Sequence, residues 1–327
     1  MPSKSAQTTE SMLDQAHDPI FDLNTLPNDS NYTEDFADLE HVRLCYRDSG
    51  PRDAPPILLI MGLGCQLTTW PPEFVNGLLA LGYRVIRFDN REMGLSSLAD
   101  NPGPMQSPPA GFLRYKLGLK VTSDYTLHDL AEDTRQLIEH LKLEKPIVLG
   151  VSMGGMVAQI LAAKHPEMIS KLILLMSSDN HPRLPTPSVK TLWRITGGGI
   201  QGDHQEAAIN RGLAFWNTVS SPGYPSSERR IISRIARDYQ RSYRPKSIIR
   251  QMVAINATGS IRHESASIEL PTLILHGLAD KLVHPKAGRQ LHRNIKGSKL
   301  ELIKGWGHDV PVGLVPEILN HIDNFIG

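Results

Sequence analysis

The stretch IVLGVSMGG at residues 147–155 sets a serine, Ser152, between two glycines directly after an aliphatic run. The pattern G-x-S-x-G is short and made of common residues, so its weight rests on its flanks. Residues 145–150 have the continuous apolar character of a buried strand, and 153–165 carry a helical pattern that His165-Pro166 ends. A serine on a sharp strand-to-helix turn sits in strained backbone, so the positions two residues either side must lack a Cβ that would collide. Gly150 and Gly154 meet that need. The turn also puts Ser152 at a helix N-terminus, where free N–H groups and the helix dipole favour a developing negative oxygen.

The rest of the chain repeats this unit. PILLIMG (56–62), YRVIRFDN (83–90), KPIVLGVS (145–152), KLILLMSS (171–178), PTLILHG (271–277) and SKLELIKG (298–305) each read as strands. The most apolar of them are continuous rather than alternating, as strands covered on both faces are. HVRLCYRDSG (41–50) alternates better and is expected to be an antiparallel edge strand. Helical patterns fill 72–82, 126–143, 153–165, 285–295 and 312–325, the second opened by a threonine cap with Asp129 in its first turn. The β-α-β-α rhythm specifies an α/β fold with a mainly parallel, doubly wound sheet.

Two segments break the rhythm. Residues 1–35 are polar and poor in aliphatics and read as a flexible tail. Residues 181–268 hold helical patterns but no strong strand, too much chain for a loop, and read as an inserted helical cap. The core is then 36–180 together with 269–327. Within the insert, RRIISRIARDYQRSYR (229–244) places Ile231, Ile232, Ile235, Tyr239 and Tyr243 on one face. Arg230, Arg234, Arg237, Arg241 and Arg244 fall on the other, which reads as a solvated face opposite a buried one.

A serine hydroxyl becomes a nucleophile only when a base takes its proton. Of 13 histidines, His308 follows the last strand in KGWGHDVP and precedes the final helix. It therefore hangs over the carboxyl edge of the sheet, where open α/β folds build their sites. The histidine needs an acid to fix its tautomer, and Asp280 in LHGLADKLV lies in the loop after the preceding strand, at the same edge. His276, at the end of that strand, reads as a packed or hydrogen-bonded histidine.

With GVSMGG, HGLADKLV and GWGHDVP in this order, and MGLGCQLTTWP and DNREMGLS earlier, the sequence resembles the α/β-hydrolase fold superfamily over residues 40–327. The early motifs are similar to the branch that includes aclacinomycin methylesterase, and more broadly bacterial esterases and lipase-like hydrolases. That resemblance implies an oxyanion hole of two backbone N–H groups, from Met153 and from the loop after PILLIMG. Many relatives carry His-Gly there. This chain has Met61-Gly62, which points to Leu63 as the second donor. Some relatives place the acid after the preceding strand, which keeps Asp179 as a rival to Asp280. Asp309, next to the histidine, is expected to point elsewhere.

The bulk numbers are consistent with that reading. The chain has 327 residues, 40% apolar and 21% charged, with 35 Lys+Arg against 34 Asp+Glu and a net charge of +1. Such a balance gives no push towards nucleic acid or an anionic surface as a whole. Two cysteines, Cys45 and Cys65, form no disulfide framework or zinc pattern, and Cys65 reads as a small apolar filler. The N-terminus lacks a secretory signal and no run approaches a membrane span, so a cytoplasmic location is expected. GLGC after a strand lacks the third glycine of a dinucleotide fingerprint, Leu67 standing in its place. No cofactor and no metal are expected. Trp70, Trp193 and Trp216 suit either core or an apolar pocket. The expected function is a serine hydrolase cleaving small to medium, partly hydrophobic carboxylic esters through an acyl-enzyme. The same triad could serve perhydrolysis, lactone or carbon–carbon bond hydrolysis, or a slow-turnover ligand receptor.

Overall fold

A computed structural model describes residues 32–98, 103–195 and 199–327. Eight strands form one sheet: β1 (Tyr32–Asp38), β2 (Arg43–Ser49), β3 (Pro56–Ile60), β4 (Arg84–Phe88), β5 (Ile147–Val151), β6 (Lys171–Leu175), β7 (Thr272–Gly277) and β8 (Lys299–Ile303). Their order is β1-β2-β4-β3-β5-β6-β7-β8. The first two pairings, β1 with β2 and β2 with β4, are antiparallel, and the rest are parallel. β5, which leads into Ser152, lies between β3 and β6, deep inside the sheet.

Alternate residues of each central strand face opposite layers, so a continuous apolar run serves both. Leu58, Ile60, Val148 and Leu174 pack with α3 (Leu127–His140), α4 (Met153–Lys164) and α10 (Lys286–Asn294). Ile57, Leu59, Leu149 and Ile173 pack on the other face with α1 (Pro72–Ala80) and α11 (Val315–Ile326). Helix α3 starts as its sequence dictates. The Thr126 hydroxyl accepts from His128 N, and Asp129 Oδ2 accepts from Thr126 N at 2.7 Å in a capping box. A further helix, α2 (Pro108–Lys116), opens on two prolines and packs beside the insert.

The edge differs from expectation. β2 is interior, and β1 is the edge strand beside it, opening inside the segment read as tail; residues 1–31 lie outside the described residues. β1 is YTEDFAD, mostly exposed and rich in carboxylates. A charged, one-sided strand lacks the apolar run that marks its neighbours, and its charges discourage pairing with another chain.

Between β6 and β7 the described residues form five helices: α5 (Val189–Ile195), α6 (Gln205–Val219), α7 (Glu228–Arg241), α8 (Pro245–Thr258) and α9 (Arg262–Ser267). Ile209 of α6 with Ile232 and Ala236 of α7 form a small apolar cluster of their own.

Candidate active site

Ser152 caps α4 with φ 54° and ψ −118°, a left-handed conformation that a non-glycine residue adopts only under constraint. The surroundings supply that constraint. A Cβ on Gly150 would lie 2.3 Å from Gly154 O, and one on Gly154 would lie 2.2 Å from Ile60 O. Neither position can carry a side chain while strand, turn and helix keep this closeness. Ser177 at the end of β6 donates its hydroxyl to Ser152 O at 2.8 Å, and Ser152 N donates to Leu175 O at 2.9 Å.

The loops after β7 and β8 converge on this serine. His308 Nε2 lies 3.0 Å from Ser152 Oγ, and His308 Nδ1 lies 2.7 Å from Asp280 Oδ2. The second Asp280 oxygen accepts from the backbone N–H groups of Leu282 and Val283, both at 2.8 Å. His276 is fully buried beneath, with Nε2 at 2.8 Å from Val283 O and 3.5 Å from Asp280 Oδ2. Burial pushes the Asp280 carboxyl up, but the charges and hydrogen bonds of His308 and His276 outweigh it and hold the carboxyl below its ordinary value. Asp179 is engaged elsewhere: its Oδ2 accepts from Gln290 at 2.6 Å and Asn294 at 2.9 Å. Asp309 accepts from Ser221 Oγ, and its carboxyl is pushed up by burial.

The loop after β3 passes directly over the serine. A Cβ on Gly62 would lie 3.3 Å from Ser152 Cβ. Met153 is the first residue of α4, so its N–H is among the donors that a helix start leaves without an intrahelical acceptor. The Leu63 N–H donates to no acceptor among the described residues.

The insert holds both loops. Val219 O accepts from His308 N at 2.7 Å, and Ser221 Oγ accepts from Gly307 N at 2.9 Å. On the other side, Gln251 of α8 accepts from Gly64 N at 2.9 Å, and Gln66 donates to Asp238 O and Ser242 O of the α7 end at 2.6 and 2.7 Å.

The arginine face of α7 is the main correction to the sequence reading. It is not solvated but docked on the core. Arg230 bonds Glu73 at 2.6 Å, Arg237 bonds Thr68 O at 2.5 Å, and Arg241 bonds Gln66 at 2.8 Å and Asp89 at 2.7 Å. Arg244, just beyond the helix, donates to Ser96 O. Both faces of the helix pack: isoleucines against α6, and arginines against carboxylates and carbonyls that lie far off in sequence. Neither Gln251 nor Val219 carried any signal in the sequence. The arginine periodicity did, but its partners could not be read from it. Trp70 is core, stacked on Phe74, while Trp193 is half-exposed. Trp216 lies under the Arg234 guanidinium at 4.1 Å, and the two line a cavity of about 40 Å³ with Asp309.

Comparison with known proteins agrees with this architecture. The family model described as alpha/beta hydrolase fold matches residues 55–312. Rhodomycin D methylesterase DnrP of Streptomyces peucetius is 25% identical over 283 residues, covering 81% of this chain and 88% of that protein. The serine hydrolase BPHL of Homo sapiens is 25% identical, covering 87% of this chain and 83% of its own. Among solved structures, a putative lipase from Acinetobacter baumannii superposes with a TM-score of 0.73 at 18% identity, covering 93% of this chain and 94% of that one. With a match over most of its length, and with the strand order and serine turn described above, the chain belongs to the α/β-hydrolase fold family.

Proposed function

We propose that this protein hydrolyses carboxylic esters with Ser152 as nucleophile, His308 as general base and acid, and Asp280 as the group that orients the histidine. The observation that carries this reading is the continuous chain of contacts from Ser152 Oγ to His308 Nε2 at 3.0 Å and from His308 Nδ1 to Asp280 at 2.7 Å. Ser152 Oγ attacks the ester carbonyl carbon as its proton passes to Nε2. The tetrahedral oxyanion is held by the N–H groups of Met153 and Leu63, a contribution of about 10²–10³ in rate for each donor. Nε2 then returns the proton to the departing alkoxide oxygen, leaving an acyl-enzyme. Water, deprotonated by the same nitrogen, releases the acid and restores the serine.

Residues 181–268 act in this reading as a cap over the core formed by 36–180 and 269–327, so the substrate reaches Ser152 between them. The relative named a methylesterase supports an ester with a small alcohol, and the cap over the site suits a small to medium, partly hydrophobic acyl part. The two unpaired cysteines suit a reducing, cytoplasmic setting. The test is labelling by a fluorophosphonate together with turnover of activated esters. Both are expected in the native protein and both lost in Ser152→Ala. Ester turnover undiminished in that variant defeats the assignment.

A further inference from the structure

Helix α2 and the turn after it carry leucines that are half-exposed or more. Leu113 is 60% exposed, Leu117 65% and Leu119 50%. Leu113 and Leu117 are four residues apart, one helical turn, and Leu119 follows across the turn at Gly118. Gly118 takes φ 69°, and Leu119 N bonds back to Arg114 O at 2.8 Å, folding Leu119 against the end of the helix. Met105, in the loop that leads into α2, is 38% exposed. Scattered exposed leucines are ordinary, but a cluster on one short helix marks an interaction surface.

The charge carried by the segment itself has one sign. The segment 103–123 contains Arg114, Lys116 and Lys120 and no acidic residue, in a chain whose net charge is only +1. The nearest acid in sequence, Asp124, is tied to Arg250 at 2.5 Å, and α8, against which α2 packs, has no acid either. The Lys116 ammonium rests on the carbonyl of Pro182, a neutral partner that leaves its charge in place. We propose that Leu113, Leu117 and Leu119, with their flanking cations, dock the protein on an anionic phospholipid surface. Leucines that enter the acyl boundary with lysine and arginine at headgroup level are the arrangement of an interfacial helix. A second copy of the chain fits less well, because a two-fold contact through this face sets cations against cations.

Helix α2 is tied to the core near the serine turn. Tyr115 donates its hydroxyl to Asn180 O at 3.1 Å, and the chain reaches Asn180 three residues after Ser177, which is bonded to Ser152 O. This inference stands on the exposed face and its charges and does not depend on the esterase reading.

Vesicle co-sedimentation tests it, using phosphatidylcholine alone and phosphatidylcholine with about 30% phosphatidylglycerol, at low salt and at about 300 mM salt. The expected result is binding to the anionic vesicles only, weakened by salt. Leu117→Gln with Leu119→Gln should weaken it at least about tenfold, and Lys120→Glu about fivefold, with melting temperature unchanged. Equal partition to both vesicle types, or wild-type binding by the double-leucine variant, overturns the proposal. So does a dimer in lipid-free sedimentation velocity that the leucine variant dissolves, since a second copy then covers the face.

Discussion

Gln251 on α8 accepts a hydrogen bond from Gly64 N–H at 2.9 Å, joining the insert to the loop over Ser152 across 187 positions of sequence. Gln251 is fully buried, so no water replaces it readily. Gly64 follows Leu63 directly; the loop's other ties flank it, with Asn90 donating to Met61 O at 3.0 Å before it and Gln66 and Thr68 bonded further along. Gln251→Leu should therefore free the Leu63 N–H to wander. The expected loss in kcat is about tenfold, below the 10²–10³ for a missing oxyanion donor, with KM nearly unchanged. Gln251→Glu keeps an acceptor and should recover most of the rate. Steady-state kinetics of both variants decide the matter: equal loss in the two makes the role of Gln251 one of bulk stability.

Arg241 and Asp89 give a second prediction, this one about folding. Asp89 is fully buried and accepts from Arg241 and from the N–H groups of Leu67 and Leu95 at 2.7, 2.7 and 3.0 Å. Burial pushes its carboxyl above the ordinary value even so, with Arg241 and the two N–H groups opposing. A raised carboxyl contributes stability that is present below the unfolded value, about 3.9, and lost as pH rises through the folded one. Arg241→Met removes the opposing charge and raises the folded value further. The variant should lose about 3–5 kcal/mol near neutrality. Its deficit in melting temperature should shrink as pH falls towards 4. A deficit independent of pH would place the cost in packing instead.

What could be read in the sequence, and what could not, follows from the range of the forces involved. The strands β3 to β7 were legible because burial on two faces writes itself as an aliphatic run. Ser152, Asp280 and His308 were legible as a set because each sits just past a strand, and parallel strands bring those ends to one edge. β1 was not, because an edge strand with charged faces looks like tail. The arginines of α7 were misread for a different reason. Periodicity reports which residues share a face, while what covers that face is a tertiary fact. Glu73 and Asp89 lie 157 and 152 positions away from Arg230 and Arg241.

The thiols give a simple chemical check. Burial pushes Cys65 up to about 11 and Cys45 up to about 12, the latter aided by the nearby Asp89 charge. Since the thiolate is the reactive form, both should be inert to a disulfide reagent in the native protein at pH 8. Denaturant should release two thiols per chain, the full cysteine content. Rapid native labelling of either one would mean that its surroundings open to solvent.

Asp280 links the stability of the site to its chemistry. Its carboxyl is pushed up by burial but drawn below the ordinary value overall by His308 and His276, and it has no exposed surface. A depressed carboxyl contributes stability that is present above the unfolded value, about 3.9, and is lost as pH falls through the folded one. Asp280→Asn should accordingly be less stable than the native protein at neutral pH, and the difference should narrow below about pH 4. In catalysis, the amide can donate to His308 Nδ1 and favour the tautomer that leaves Nε2 unable to accept the serine proton. A loss on the order of 10⁴ in kcat is then expected, with the fold intact. Because Asp179 is already satisfied by Gln290 and Asn294, Asp179→Asn should leave kcat within about threefold. Measuring the two variants side by side assigns the acid. A large loss in Asp179→Asn with little change in Asp280→Asn would move the acid to the end of β6.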